Sequence, residues 1–146
     1  MLKTARHAPS IDANILNWLI AGTDGHAKNY SILHGPGPDH RLAPLYDVIS
    51  ALPYPRLLKG GAKLAMAVGG EHAVASITGD HWRAAARAAE LPADLIIERI
   101  RELAGRMPAA IHRVIEHPDG VGETRHIMQR TAEPVMAHVR RCLKRL

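Results

Sequence analysis

The sequence has no phenylalanine, only two tryptophans and three tyrosines, and a single cysteine in 146 residues. With aromatics this scarce, alanine, leucine, isoleucine and valine must fill the interior, which suits a helical core better than a β-sandwich. The lone thiol, Cys142, excludes an internal disulfide and any cysteine-based zinc cage. It falls on the apolar stripe of the last helical stretch, so a buried thiol is expected there. A reactive thiol would need an acid–base partner, and none adjoins it in sequence. No apolar run reaches the ~18 residues of a membrane span, and Met1 to Pro9 holds no apolar signal core. The expectation is a cytoplasmic protein without membrane contact.

An apolar fraction of 47% over this length fits one domain, 1–146, large enough to bury a core. The formal net charge is +5, and cations gather at the C-terminus as Arg140, Arg141, Lys144 and Arg145. Cations at a helix C-terminus favour the negative pole of its dipole. No aromatics interleave with them and no helix-turn-helix pattern accompanies them, so direct DNA binding is not expected. Ten histidines invite a metal reading. His112 and His117 are near in sequence, and His34 and His40 flank a turn. None forms an H-E-x-x-H pair or a Cys/His set, so scattered surface histidines are the expectation and zinc is not.

Ser10 reads as a helix N-cap with Asp12 in the first turn, and Ile11, Ile15, Trp18 and Leu19 recur at helical spacing. This helix should stop at Ala21-Gly22. Tyr30 to His34 reads as a strand, Gly35 to Asp39 as a turn, and Arg41 to Leu45 as the returning strand. A second hairpin is expected from Lys63 to Val68, through Gly69-Gly70, to Glu71–Ala75. Thr78 can cap a helix to about Glu90, and Pro92 suits the first turn of the next. That helix carries Leu95, Ile96, Ile100, Leu103, Met107 and Ile111 on one face and should end near His117-Pro118, with Gly105 and Pro108 bending or dividing it. After Asp119-Gly120 a last helical region is expected, with Pro134 kinking it or opening its second segment.

The segment Gly22-Thr23-Asp24-Gly25-His26-Ala27-Lys28-Asn29 places an aspartate five residues before an asparagine, the D-x-x-x-x-N spacing of a phosphoryl-transfer catalytic loop. Asp47 follows at the end of the first hairpin, whose antiparallel strands should carry it back towards Asn29. Asp24 could accept the proton of an attacking hydroxyl. Asn29 and Asp47 offer hard oxygen ligands for Mg2+. Lys28 could offset phosphoryl charge, and His26 could bond a phosphate or fix the loop. Each feature alone has a bland reading: Asp24 capping a turn, Asn29 in a left-handed position, Lys28 solvated, His26 holding the loop. Their combination with a preceding helix, a following hairpin and a Tyr46-Asp47 ending is the more specific signal.

Together with Leu42-Ala43-Pro44-Leu45-Tyr46-Asp47-Val48-Ile49-Ser50, Lys63 to Glu71 and His81-Trp82, this text resembles the HipA family, bacterial serine/threonine kinases of toxin–antitoxin modules. The resemblance runs along nearly the whole chain in order. It implies a mainly α fold, a helical kinase-like C-terminal lobe with two short β-hairpins. It implies Asp24 as the catalytic aspartate, Asn29 and Asp47 as magnesium ligands, and His26, Lys28 and Tyr46 in nucleotide-contacting segments. The implied co-substrate is ATP, the implied target a protein hydroxyl, and the usual partner a small helix-turn-helix antitoxin. His-Arg does not precede Asp24 and Phe-Gly does not follow Asp47, departures that HipA-like proteins share.

Only 23 residues precede Asp24, with neither a glycine-rich loop nor a strand lysine, and Lys3 has no strand around it. The sequence corresponds to roughly the last third of a full-length member. Two functions follow as expectations. One is the C-terminal lobe of a kinase, inactive or very weak alone and complemented by an N-terminal lobe on another chain. The other is a non-catalytic remnant or binding module that contacts an antitoxin, an intact kinase or DNA. Apolar surface left uncovered could also drive homodimerisation.

Overall fold

The computed structural model describes residues 2–37, 39–116 and 124–146, with side chains from residue 10 onward except those of 124 and 125. Four helices form the body among the described residues: α1 (Leu2–Ile20), α2 (Gly79–Ala88), α3 (Ala93–Glu116) and α4 (Thr124–Leu143). Two antiparallel hairpins lie between α1 and α2, β1 (Ile32–His34) with β2 (His40–Leu42), and β3 (Lys63–Val68) with β4 (Glu71–Ala73). The mainly α class with two short hairpins is thus the observed fold.

Helix α1 starts at Leu2, so Ser10 lies inside it and is not its N-cap. Most residues from Leu2 to Ala8 have good helix propensity, and the helix continues through Pro9. Asp12 is consequently mid-helix, and Arg99 of α3 grips both its carboxylate oxygens while also reaching Glu102 at 2.6 Å. Two ionised partners hold the Arg99 guanidinium charge still more firmly than usual. Helix α3 is one element with Pro108 inside, and α4 is one element with Pro134 inside, so neither proline divides its helix. Expectations for His117 to Gly120 fall outside the described residues.

The core is built as the composition requires, with aliphatics around two indoles. Ile15, Trp18 and Leu19 of α1 are fully buried against Leu64, Val68, Ile77, Trp82, Ile97, Ile100, Val135 and Val139. The rings of Trp18 and Trp82 are tilted at 58° with centroids 5.6 Å apart, an edge-biased geometry that aromatic quadrupoles favour. Trp18 also donates its indole N–H to Val74 O at 3.3 Å. The β3–β4 turn uses Gly69 and Gly70 at φ of 55° and 89°. At Gly69 a Cβ would fall 2.3 Å from His81 O, so this glycine is required by space as well as by angle.

Cys142 is buried, as its position on the apolar stripe implies. Burial pushes its thiol up to about 12, against the opposing pull of Arg145 and Arg141. His138, one turn earlier, donates Nε2–H to Trp18 O at 3.0 Å with the Cys142 sulfur 3.3 Å from the same nitrogen. Burial holds this imidazole below its ordinary range, although the Trp18 bond favours the charged form. Helix α4 is therefore fastened to the C-terminal turn of α1 by a neutral histidine.

Candidate active site

The site grows out of the end of α1. The last carbonyls of a helix lack intrahelical partners, and here the following turn and the distant segment at Ser50 and Ala51 take them up. Asn17 O accepts from Gly22 N at 2.7 Å, Ile20 O from Ser50 Oγ at 2.6 Å, and Ala21 O from Ala51 N at 3.1 Å. The segment after Asp47 is thus sewn to the same helix end that launches the Asp24 loop. Ala21, not Gly22, takes the left-handed stop, at φ 50°. Gly22 is needed for close approach instead: a Cβ there would lie 2.6 Å from Asn17 Oδ1. At Gly25 the clash is tighter, 2.2 Å from Asn17 Nδ2. The Asn17 side chain lies between the two glycines and bonds Tyr30 OH at 3.4 Å. Partial burial raises the Tyr30 phenol above its ordinary value, outweighing that bond and keeping it neutral. Sequence reading missed Asn17; two glycines just after a helix end were the available trace of it.

Within the loop, Asp24 O accepts from His26 N at 2.8 Å and from Asn29 Nδ2 at 2.8 Å, and a short 3-10 helix over Ala27–Asn29 is closed by Asn29 N donating to His26 O at 2.9 Å and Tyr30 N to Ala27 O at 3.3 Å. The D-x-x-x-x-N spacing is therefore the span of one closed loop, with the asparagine reaching back to its first residue. Because the Asn29 amide donates through Nδ2, its Oδ1 remains available as an oxygen ligand. The Asp24 carboxylate is two-thirds exposed and sits 3.5 Å from His26 Nε2. His26 Nδ1 is buried with no partner, which fits the tautomer carrying its proton on Nε2, towards Asp24.

Strands β1 and β2 then return the chain, and Ala43 N donates to Ser31 O at 2.8 Å beyond the paired residues. Tyr46 OH meets Ser31 Oγ at 2.8 Å and donates to Lys28 O at 3.3 Å, tying the far end of the hairpin to the loop. Asp47 follows in the left-handed region at φ 55°, a conformation aspartate tolerates better than most residues. Asn29, Tyr46 and Asp47 line one small cavity of about 10 Å³ together with Asn17 and Tyr30. That is room for about one water-sized sphere.

Three of the six candidate residues are thereby brought to one place. Asp24 reaches them through its backbone carbonyl only, while its carboxylate is exposed beside His26, apart from the residues that line the cavity. Lys28 contributes its carbonyl, and its side chain is exposed. Asp47 offers a carboxylate and Asn29 an amide oxygen, the hard-oxygen donor types that Mg2+ prefers, on residues that line one cavity. Around them the surface is apolar and open: Leu45, Tyr46, Val48 and Ile49 are 40%, 46%, 41% and 56% exposed. A larger apolar groove of about 550 Å³ continues from Val48 and Ser50 between α3 and α4, floored by Leu16, Met107, Ile111 and Met128.

Residues 3–111 match the family described as HipA-like C-terminal domain. Two relatives from Sinorhizobium fredii (strain NBRC 101917 / NGR234) are similar. "Putative kinase Y4mE" is 36% identical over 107 residues, 73% of this chain and 24% of the relative. "Putative kinase Y4dM" is 32% identical over 109 residues, 73% of this chain and 25% of the relative. Among solved structures, HipA of the Shewanella oneidensis MR-1 toxin–antitoxin system, in complex with HipB and operator DNA, superposes with a TM-score of 0.78 at 27% identity, covering 92% of this chain and 31% of that one. The chain thus spans about a quarter of the length of the curated relatives it matches. With the family match extending over residues 3–111, the chain belongs to the HipA-like C-terminal domain family.

Proposed function

We propose that this chain forms the metal- and hydroxyl-binding half of a protein serine/threonine kinase site, transferring the terminal phosphoryl group of ATP to a protein hydroxyl. The observation that carries this reading is the shared cavity of Asn29, Tyr46 and Asp47, with Asp24 one hydrogen bond away. Phosphoryl transfer needs positioning and charge neutralisation more than covalent chemistry. Asp24, whose carboxylate is exposed, accepts the hydrogen bond and then the proton of the attacking hydroxyl. Asp47 and Asn29 would hold Mg2+, which when bound would neutralise phosphate charge. His26 orients the Asp24 carboxylate, and the exposed Lys28 ammonium is free to meet a phosphate. Tyr46 keeps the Asp47 segment against the loop.

The open apolar rim of Leu45, Val48 and Ile49 supports a covering lobe supplied outside this sequence, in a longer polypeptide or on another chain. Without that cover a nucleotide is wet and poorly clamped. Residues 1–146 alone should therefore bind ATP with Mg2+ more weakly than micromolar in calorimetry, and a sub-micromolar affinity would overturn the two-lobe reading. Co-expression with neighbouring gene products and a phosphorylation assay test the chemistry. Asp24→Ala should lower transfer by about 10²–10⁴-fold, the range of a lost general base. Unchanged transfer would remove Asp24 from the mechanism.

A second reading draws on the groove between α3 and α4. The matched Shewanella structure is a complex of HipA with HipB and operator DNA, and a docking role for this chain on an antitoxin needs no catalysis. Antitoxin binding that survives Asp24→Ala and Asp47→Ala while no phosphoryl transfer is ever detected would favour it.

A further inference from the structure

His34 and His40 face each other across the β1–β2 hairpin. Gly35 N donates to Asp39 O and Ala43 N to Ser31 O, so Gly35–Asp39 and Ser31–Ala43 are hydrogen-bonded pairs. In an antiparallel ladder the pairs alternate, which makes His34–His40 a non-hydrogen-bonded pair, the kind whose side chains stand closest. The two rings meet edge to face with centroids 4.7 Å apart, and their Nδ1 atoms are 3.1 Å apart. Both residues are exposed, so a solute reaches them directly.

We propose that His34 and His40 form a two-imidazole site for a borderline transition-metal dication of the zinc, nickel or copper class. With metal–nitrogen bonds of about 2.0–2.1 Å, a 3.1 Å nitrogen separation subtends roughly 100° at a shared metal. That angle lies between square and tetrahedral coordination, the two geometries these ions adopt with imidazole. Among the described residues no group of three His, Cys, Asp or Glu side chains gathers for a metal, so water completes the shell. In the metal-free protein one Nδ1–H donates to the other Nδ1. Binding requires both Nδ1 lone pairs, so the ring that carries its proton on Nδ1 moves it to Nε2. The site is separate from the oxygen donors of Asn29 and Asp47 and does not rest on the kinase reading. It bridges the two strands of the hairpin that leads from Asn29 to Asp47, so occupancy restrains that connection.

The sequence shows His34 and His40 flanking a turn, where the want of a ligand motif gives no expectation of zinc, and the cross-strand register is what brings their rings together. The test is calorimetric titration of the untagged chain with ZnCl2 alone, near neutral pH, for wild type, His34→Ala, His40→Ala and the double variant. His112→Ala serves as a control, since His112 lies on α3 beside Glu116. Wild type should bind one zinc ion. Each single variant should bind at least tenfold more weakly, the double variant should lose that event, and His112→Ala should retain it. Zinc should also raise the thermal midpoint of wild type and leave that of the double variant unmoved, which separates lost ligation from lost folding. A double variant within threefold of wild-type affinity, or loss of binding in His112→Ala, overturns the proposal.

Discussion

Trp18 and Asn17 are neighbours on α1 but serve opposite regions. Trp18 turns into the core, fully buried against Trp82 and bonded to Val74 O. Asn17 turns to the loop that carries Asp24 and fills the space between Gly22 and Gly25. Behind the helix, apolar contact holds four helices and a hairpin together. In front, a few polar bonds hold an exposed loop and hairpin, and the large apolar side chains there remain open. The core is where stability resides, because burial scales with apolar area removed from water. The site face is where the proposed chemistry would reside, because the Asp24 and Asp47 residues there are exposed.

The contrast can be broken by substitution, and the largest expected effect is in the core. Trp18→Ala should cost about 3–5 kcal/mol, the usual range for an indole lost from a packed interior. Urea denaturation of both proteins checks this, and a loss below ~1 kcal/mol would mean that Trp18 does not anchor the helices. Next comes the contact between helix and loop. Gly25→Ala should cost about 1–3 kcal/mol, because the new methyl overlaps the Asn17 amide. Adding Asn17→Ala should recover part of that loss in a double-mutant cycle, and purely additive effects would show that Asn17 does not set the loop.

A smaller effect is expected from acid. His138 has its folded-state pKa depressed by burial, so below its ordinary value the unfolded chain binds the proton more readily. Its contribution is therefore full above about pH 6.5 and is lost as pH falls from there through the depressed folded value. His138→Gln should flatten the stability profile between neutral pH and pH 5 relative to wild type. Parallel profiles would place the pH dependence elsewhere. The smallest change should come from the site itself. Asp24→Ala should alter stability by no more than about 0.5 kcal/mol, as at other exposed positions, whatever it does to phosphoryl transfer. A loss of 2 kcal/mol or more would make Asp24 a structural residue.

Much of the architecture is legible along the chain. The stripe of Ile15, Trp18 and Leu19, the Gly69-Gly70 turn and the apolar face of α3 each obey a local period or a local angle. The start of α1 is not legible, because Ser10 and Asp12 look like a capping pair, whereas Asp12 is held by Arg99 from a distant helix. Local rules leave the prolines at 108 and 134 either to bend or to divide their helices, and the structure shows that they do not divide them. At the site, the pairing of Asp24 with Asn29 is readable as a spacing. The placing of Asn17 against two glycines is not, since it depends on how the loop folds back on the helix.

By itself the sequence determined the helical class, the two hairpins and which side chains could bond a metal or a proton, because periodicity and functional groups are local properties. Only the tertiary structure decided that Asn29, Tyr46 and Asp47 share a cavity, that the Asp24 carboxylate opens to solvent, and that two histidines meet across a strand pair. Those are relations between segments separated by turns: packing around the end of α1 sets the first two, and the β1–β2 register sets the third.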